Sequence, residues 1–179
     1  MNNSANYQDM AQHNGDNNFV QLTHLETAIE QIKKSCCGDE ELVDLIEDLT
    51  ELITKHPDRE IVGLEKKLEN GERNDLFKRA RRLKNKFSRR VAKNQMSITE
   101  QQIYIQILSA INTTWYNRIN PKIIDGATND EVDKLIYEEI IKPIHQAIVR
   151  FDITVTSETV NGMLYFLTGK CHLVWGEEC

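Results

Sequence analysis

From Val20 onward, apolar residues recur along this chain with a helical period. Leu22, Leu25, Ile29 and Ile32 fall at i, i+3, i+7 and i+10, and Thr23 with Glu26 has the spacing of a capping box. Cys36-Cys37-Gly38-Asp39 reads as a break, with Gly38 past a helix end and Asp39 as the next N-cap. Leu42, Leu45, Ile46, Leu49, Leu52 and Ile53 form a second stripe that ends before Pro57, because the residue ahead of a proline disfavours helical backbone. A third helix is predicted to start near Pro57, carry Ile61, Leu64 and Leu68, and stop at Asn70-Gly71.

The pattern then strengthens. Leu76, Phe77, Ala80, Leu83, Phe87 and Val91 share one face of a helix over about 74–94. Ser97 with Glu100 offers a second capping box for a long helix carrying Ile103, Ile107, Leu108, Ile111, Trp115 and Ile119, with a break expected at Asn120-Pro121. Thr128 with Glu131 offers a third box, ahead of Val132, Leu135, Ile136, Ile140 and Ile144, with a kink or boundary expected at Pro143. Phe151 to Thr156 alternates like a short strand or a linker. Ser157 is then the expected cap of a last helix that runs to Leu167, with Gly169 just past its end. In this reading the last helix seats Met163, Phe166 and Leu167 against Trp115 and the long fifth helix that carries it, and Trp175 pins the tail to the body. The predicted fold is all-α: a compact bundle of about six helices with a short extended C-terminal tail.

Composition sets the organisation. A chain of 179 residues with 40% apolar side chains builds one compact domain and leaves too little for a second. Residues 1–18 are polar and rich in Asn and Gln, the composition of a disordered tail, and carry no basic or apolar leader pattern. The expected division is that tail, an N-terminal helical pair over 19–56, and a helical domain over 57–177. No apolar run is long enough to span a bilayer. Cys36, Cys37, Cys171 and Cys179 lack the spacing of a disulfide scaffold, so reduced thiols and a cytoplasmic location are expected.

Charge is distributed unevenly. Between Asp39 and Glu72 twelve acidic residues face four basic ones, whereas Lys78 to Lys93 holds nine basic residues and no acidic one. On a helix those cations cover every face but the apolar stripe, which makes Lys78, Arg79, Arg81, Arg82, Lys86, Arg89 and Arg90 a candidate interaction surface. One reading pairs it with the acidic helix around Asp44, Glu47, Asp48 and Glu51, within the bundle or across a homo-oligomer, or with a partner protein. The alternative is a nucleic-acid-binding regulator, with Arg81, Arg82, Arg89 and Arg90 on phosphates. Phe77 and Phe87 lie on the core stripe, so base stacking is poorly served, and the net charge of −6 weighs against polyanions.

Motifs that would carry chemistry are mostly incomplete. Gly169-Lys170 lacks the earlier glycine and the following hydroxyl of a phosphate loop, since Leu164 and Cys171 stand there. Cys171-His172 has no second ligand pair at zinc spacing, and sequence neighbours make a poor nucleophile–base couple. No histidine follows an arginine by five to seven residues, as in small helical ribonucleases. Glu138-Glu139 and Glu177-Glu178 are adjacent, so their carboxylates point apart on a helix. No catalytic residue, metal site or cofactor motif is predicted, and the chain gives no sign of being an enzyme.

The order of segments carries more information. Val62 to Gly71 precedes the basic helix. Ile103-Tyr-Ile-Gln-Ile-Leu-Ser-Ala110, Ile140-Ile-Lys-Pro-Ile144 and Gly162-Met-Leu-Tyr-Phe-Leu-Thr-Gly-Lys-Cys-His-Leu-Val-Trp175 follow it. The series resembles the C-terminal domain of proteins from bacterial ABC-three-component systems, over about residues 61–176. Its most specific part is the closing segment, with Gly162, Met163, Tyr165, Phe166, Leu167, Thr168, Gly169, Cys171, His172 and Trp175 as the structural signature; Lys170 stands where the family pattern usually has Asn. The resemblance implies a predicted conflict or anti-phage system built from an ABC-type ATPase, a small middle component and an effector, in which this domain is a non-catalytic protein-interaction module. In the family the domain usually ends a longer, effector-bearing chain. Here only about sixty residues precede it, so the effector is expected on another polypeptide.

Overall fold

In the computed structural model of the chain, the described residues are 25–29, 63–92, 98–170 and 172–176. A helical turn at 25–29 precedes α1 (Leu64–Asn70). A 3-10 turn (Asn74–Leu76) leads into α2 (Phe77–Ala92). Next, α3 (Ile98–Thr114) continues through a π-helical turn (Trp115–Ile119) into α4 (Asn120–Ile124). In the same way α5 (Asn129–Leu135) passes through a second π turn (Ile136–Ile141) into α6 (Lys142–Ile148), and α7 (Ser157–Gly169) closes the series. The described residues are all-α and contain no strand.

The body is arranged around α7. Val160 and every residue from Gly162 to Thr168 are buried, so the second half of this helix is enclosed on all sides and not amphipathic. It packs on α2 above all, and also on α1, α3, α6 and the second π turn. Met163, Leu164 and Leu167 each contribute roughly 1.5–3 kcal/mol of burial. Gly162 lets α2 come close: a Cβ there would lie 2.9 Å from the Leu83 carbonyl oxygen and 3.3 Å from the Phe87 Cβ. Phe166 meets Phe87 edge-on, ring centroids 5.2 Å apart, Trp175 packs on Trp115 at 4.8 Å, and α7 rests on the long helix α3 as expected. At the far side Ile29 is fully buried in the core, and Arg150 lies 3.5 Å from Glu26.

Several boundaries differ from the sequence reading, each for a local reason. The helix expected from Pro57 has its first described turn at Leu64, since Gly63 is extended (ψ 166°) and caps it. No break occurs at Asn120-Pro121. A proline ring clashes with the carbonyl four residues back in an α-helix, and the preceding π turn widens the coil at that point: the Asn120 N–H donates to the Trp115 carbonyl five residues away. Pro143 is accommodated by the same device, with the Lys142 N–H on the Tyr137 carbonyl. The true stop after α4 is Gly126 (φ +82°). There Gly126 N–H bonds Ile123 O and Ala127 N–H bonds Lys122 O, a Schellman ending.

Two caps also shift. Thr156, not Ser157, caps α7, exchanging bonds with Thr159 in a capping box, and the 151–156 stretch is a turn. Gly169 is the last residue of α7, with Lys170 as the C-cap; a Cβ at Gly169 would press on the Lys84 side chain at 3.0 Å. The Thr128–Glu131 box forms as expected and depresses the Glu131 pKa through the hydrogen bonds from Thr128. The 23–26 and 97–100 boxes, the Cys36–Asp39 break and the 42–53 stripe lie wholly or partly outside the described residues.

Candidate interaction surface

The tail at 172–176 has no regular structure, so its carbonyls need partners from elsewhere. They find them in side chains. The Trp115 indole N–H donates to Val174 O at 3.0 Å, the Tyr116 hydroxyl to His172 O at 2.6 Å, and the buried Lys67 ammonium to Leu173 O at 3.4 Å. The His172 N–H in turn donates to Leu167 O. Trp175, only 3% exposed, donates its indole N–H to Thr168 Oγ1 at 3.0 Å, and that hydroxyl donates to Leu164 O. Its ring lies 4.8 Å from Trp115, is stacked on Tyr165, and sits beneath the Arg73 guanidinium at 5.9 Å. Burial pushes the Tyr165 phenol above its ordinary pKa.

The turn after α1 is shaped to receive that tail. Glu72 takes the left-handed position (φ 55°) of the Schellman ending, with Arg73 N–H on Leu68 O. Gly71 does not supply that conformation. It is small for a different reason: a Cβ there would fall 2.5 Å from the Trp175 carbonyl oxygen and 2.8 Å from its Cβ. A Cβ at Gly176 would fall 2.9 Å from Asn70 O. Arg73, 2% exposed, hydrogen-bonds Asp133 Oδ2 through Nη2 at 2.9 Å, and its Nη1 lies 2.8 Å from Oδ1. Burial opposes its charge, yet Asp133 and Asp75 outweigh that and hold its pKa above the ordinary value. A half-open groove of about 220 Å³ runs between this turn, Asn129 and Trp175.

The basic helix presents a different picture. Ala80, Leu83 and Phe87 of α2 face the core, and the cations divide between two edges. Along one edge, Arg82 and Lys86 reach Glu158 at 3.2 and 3.6 Å, and Arg90 reaches Glu100 and Asp152 at 3.5 and 3.7 Å while covering the Tyr104 ring. The hydrogen bond and charge of Arg82 hold Glu158 below the usual carboxylate range. Lys78, Arg79, Arg81 and Arg89 are exposed and have no ion pair among the described residues. Lys84 folds over Gly169 toward Lys170; burial, then Lys170 and Arg81, lower its pKa.

The sequence-predicted surface thus splits: Arg82, Lys86 and Arg90 are paired with carboxylates of the fold, and Lys78, Arg79, Arg81 and Arg89 have no ion pair among the described residues. Lys84 and Lys170 join the second group, and only the packing of α7 on α2 brings them together. Of the closing signature, Gly162, Met163, Tyr165, Phe166, Leu167, Thr168, His172 and Trp175 are buried and Gly169 half-buried, while Cys171 lies outside the described residues. Among the described residues no group of three His, Cys, Asp or Glu side chains could hold a metal. No helix among them is long and apolar enough to cross a membrane.

Fold and site together define the class: an all-α domain whose tail is clasped onto its own first turn and whose outer helix is strongly cationic. The sequence profile of C-terminal domain 9 of the ABC-three component (ABC-3C) systems matches residues 63–175, from the cap of α1 to Trp175 itself. The chain belongs to that family. No curated protein and no solved structure matches it.

Proposed function

We propose that this chain is a non-catalytic interaction module of an ABC-three-component system of the anti-phage or conflict type, coupling the effector to the ABC-type ATPase in the cytoplasm. The observation that carries the reading is the family match over the whole clasped body, residues 63–175, a domain of a multi-component system. The chemistry of the body is consistent with that role. The side chains that first suggest reactivity, around Gly169-Lys170 and His172, sit where they close the fold: Gly169 gives room to Lys84, and the His172 backbone bonds Tyr116 and Leu167. What the body turns outward is charge, and charge complementarity governs partner choice and association rate more than bare affinity.

The test is co-expression of the full chain with the ATPase and effector of its own system, followed by size-exclusion chromatography. The reading expects a common peak containing this chain. Separate elution of every component at low salt would contradict it.

A further inference from the structure

The two edges of α2 differ in what they leave available. On the engaged edge, Arg82, Lys86 and Arg90 are balanced by Glu158, Glu100 and Asp152, so an approaching anion meets little net charge and nearby carboxylates. On the other side, Lys78, Arg81 and Arg89 recur at helical spacing along about 16 Å of the outer surface, interrupted by the neutral Asn85. Lys84 and Lys170 widen this strip across the C-terminal end of α7. There the Lys170 ammonium lies over the Phe166 ring at 5.6 Å and crowds Lys84, whose charge no described carboxylate offsets. Like charges held together at a fold's surface cost free energy, and an anionic partner recovers it.

We propose that the strip Lys78–Arg81–Lys84–Arg89–Lys170 docks an acidic surface of a partner protein, with carboxylates spaced along about three turns of one helix face. The proposal rests on the interaction-module reading. Charge complementarity identifies a protein carboxylate surface over a nucleic acid for two reasons on the molecule itself. The strip offers no aromatic platform, since Phe87 is buried against Phe166 and Tyr104. The carboxylates of Glu158, Glu100 and Asp152 border α2 on its other edge, where a phosphate backbone following the helix would meet them.

The experiment compares three full-length chains in the co-expression assay: wild type, the triple variant Lys78→Glu/Arg81→Glu/Arg89→Glu, and the control Arg82→Gln/Lys86→Gln. The same chains are titrated against a 20-base-pair DNA duplex and a single-stranded RNA by fluorescence anisotropy. The triple variant is expected to weaken partner binding by about tenfold or more, with the control close to wild type. A triple variant that holds its partners as well as wild type overturns the docking surface and leaves the module reading intact. A wild-type chain that captures no component removes both. Duplex or RNA binding that is lost in the triple variant, with the protein complex unaffected, assigns the strip to nucleic acid and overturns the proposal. Circular dichroism melts of all three chains separate lost binding from lost folding.

Discussion

The tail clasp and the outer edge of α2 use polar groups in opposite ways. In the clasp, irregular backbone is buried, and Trp115, Tyr116 and Lys67 each satisfy part of it, while Thr168 accepts from the Trp175 indole. Along α2, Lys78, Arg81 and Arg89 point outward with no ion pair among the described residues. Burial makes an unmet polar group costly, roughly 1–3 kcal/mol, whereas exposure makes an unmet charge inexpensive and leaves it available. The clasp therefore reads as scaffold and the edge as surface, although both lie within one domain and both contain a Gly or Lys that invites a chemical interpretation.

The sharpest way to break this contrast is at Trp175. Trp175→Ala removes the ring held between Trp115, Tyr165 and Arg73 and leaves Thr168 without its donor, so a loss of roughly 3–5 kcal/mol is expected. Thermal unfolding followed by circular dichroism would show a fall on the order of 6–20 °C. An unchanged melt would mean the tail is peripheral.

Gly71→Ala is the next largest. Its φ of −89° suits alanine, so backbone entropy alone predicts a gain of about 0.4–1 kcal/mol. The clash with Trp175 predicts the opposite sign, a loss of about 1–3 kcal/mol in urea unfolding. The sign decides whether the clasp is tight.

Thr128→Ala probes an exposed cap at the start of α5, where no clasp hydrogen bond is made, and should cost about 1 kcal/mol. The depressed Glu131 pKa fixes the pH dependence. The Thr128–Glu131 hydrogen bonds contribute above the ordinary glutamate pKa and are lost as pH falls through the lowered, folded value, so acid should narrow the gap between mutant and wild type. A gap that widens in acid would assign the cap's strength to something other than that carboxylate. Smallest of all is the effect of Lys78→Glu/Arg81→Glu/Arg89→Glu on stability, expected within about 0.5 kcal/mol per site.

Much of this contrast could be read from the sequence, but unevenly. Helical period located α2, α3, α5 and α7, and hydroxyl–carboxylate spacing located the start of α5 at Thr128 with Glu131, because those signals are local. Pro121 was misleading because a π turn, which leaves no mark in the apolar period, makes room for its ring, whereas the boundary expected at Pro143 is met where a second π turn gives way to α6 at Lys142. Gly71 and Gly169 have the look of helix-ending residues, yet each is small because of a residue distant in sequence, Trp175 and Lys84. The charges were visible and their partition was not: Arg82 and Arg90 differ from Arg81 and Arg89 only through Glu158, Glu100 and Asp152, contributed by other parts of the chain.

The division between scaffold and surface is tested most directly by thermal unfolding of Trp175→Ala beside the triple charge-reversal variant. The account predicts that Trp175→Ala melts far below wild type while the triple variant stays within a few degrees of it. A triple variant that melts as low as Trp175→Ala would contradict it, because the outer edge of α2 would then be holding the fold together.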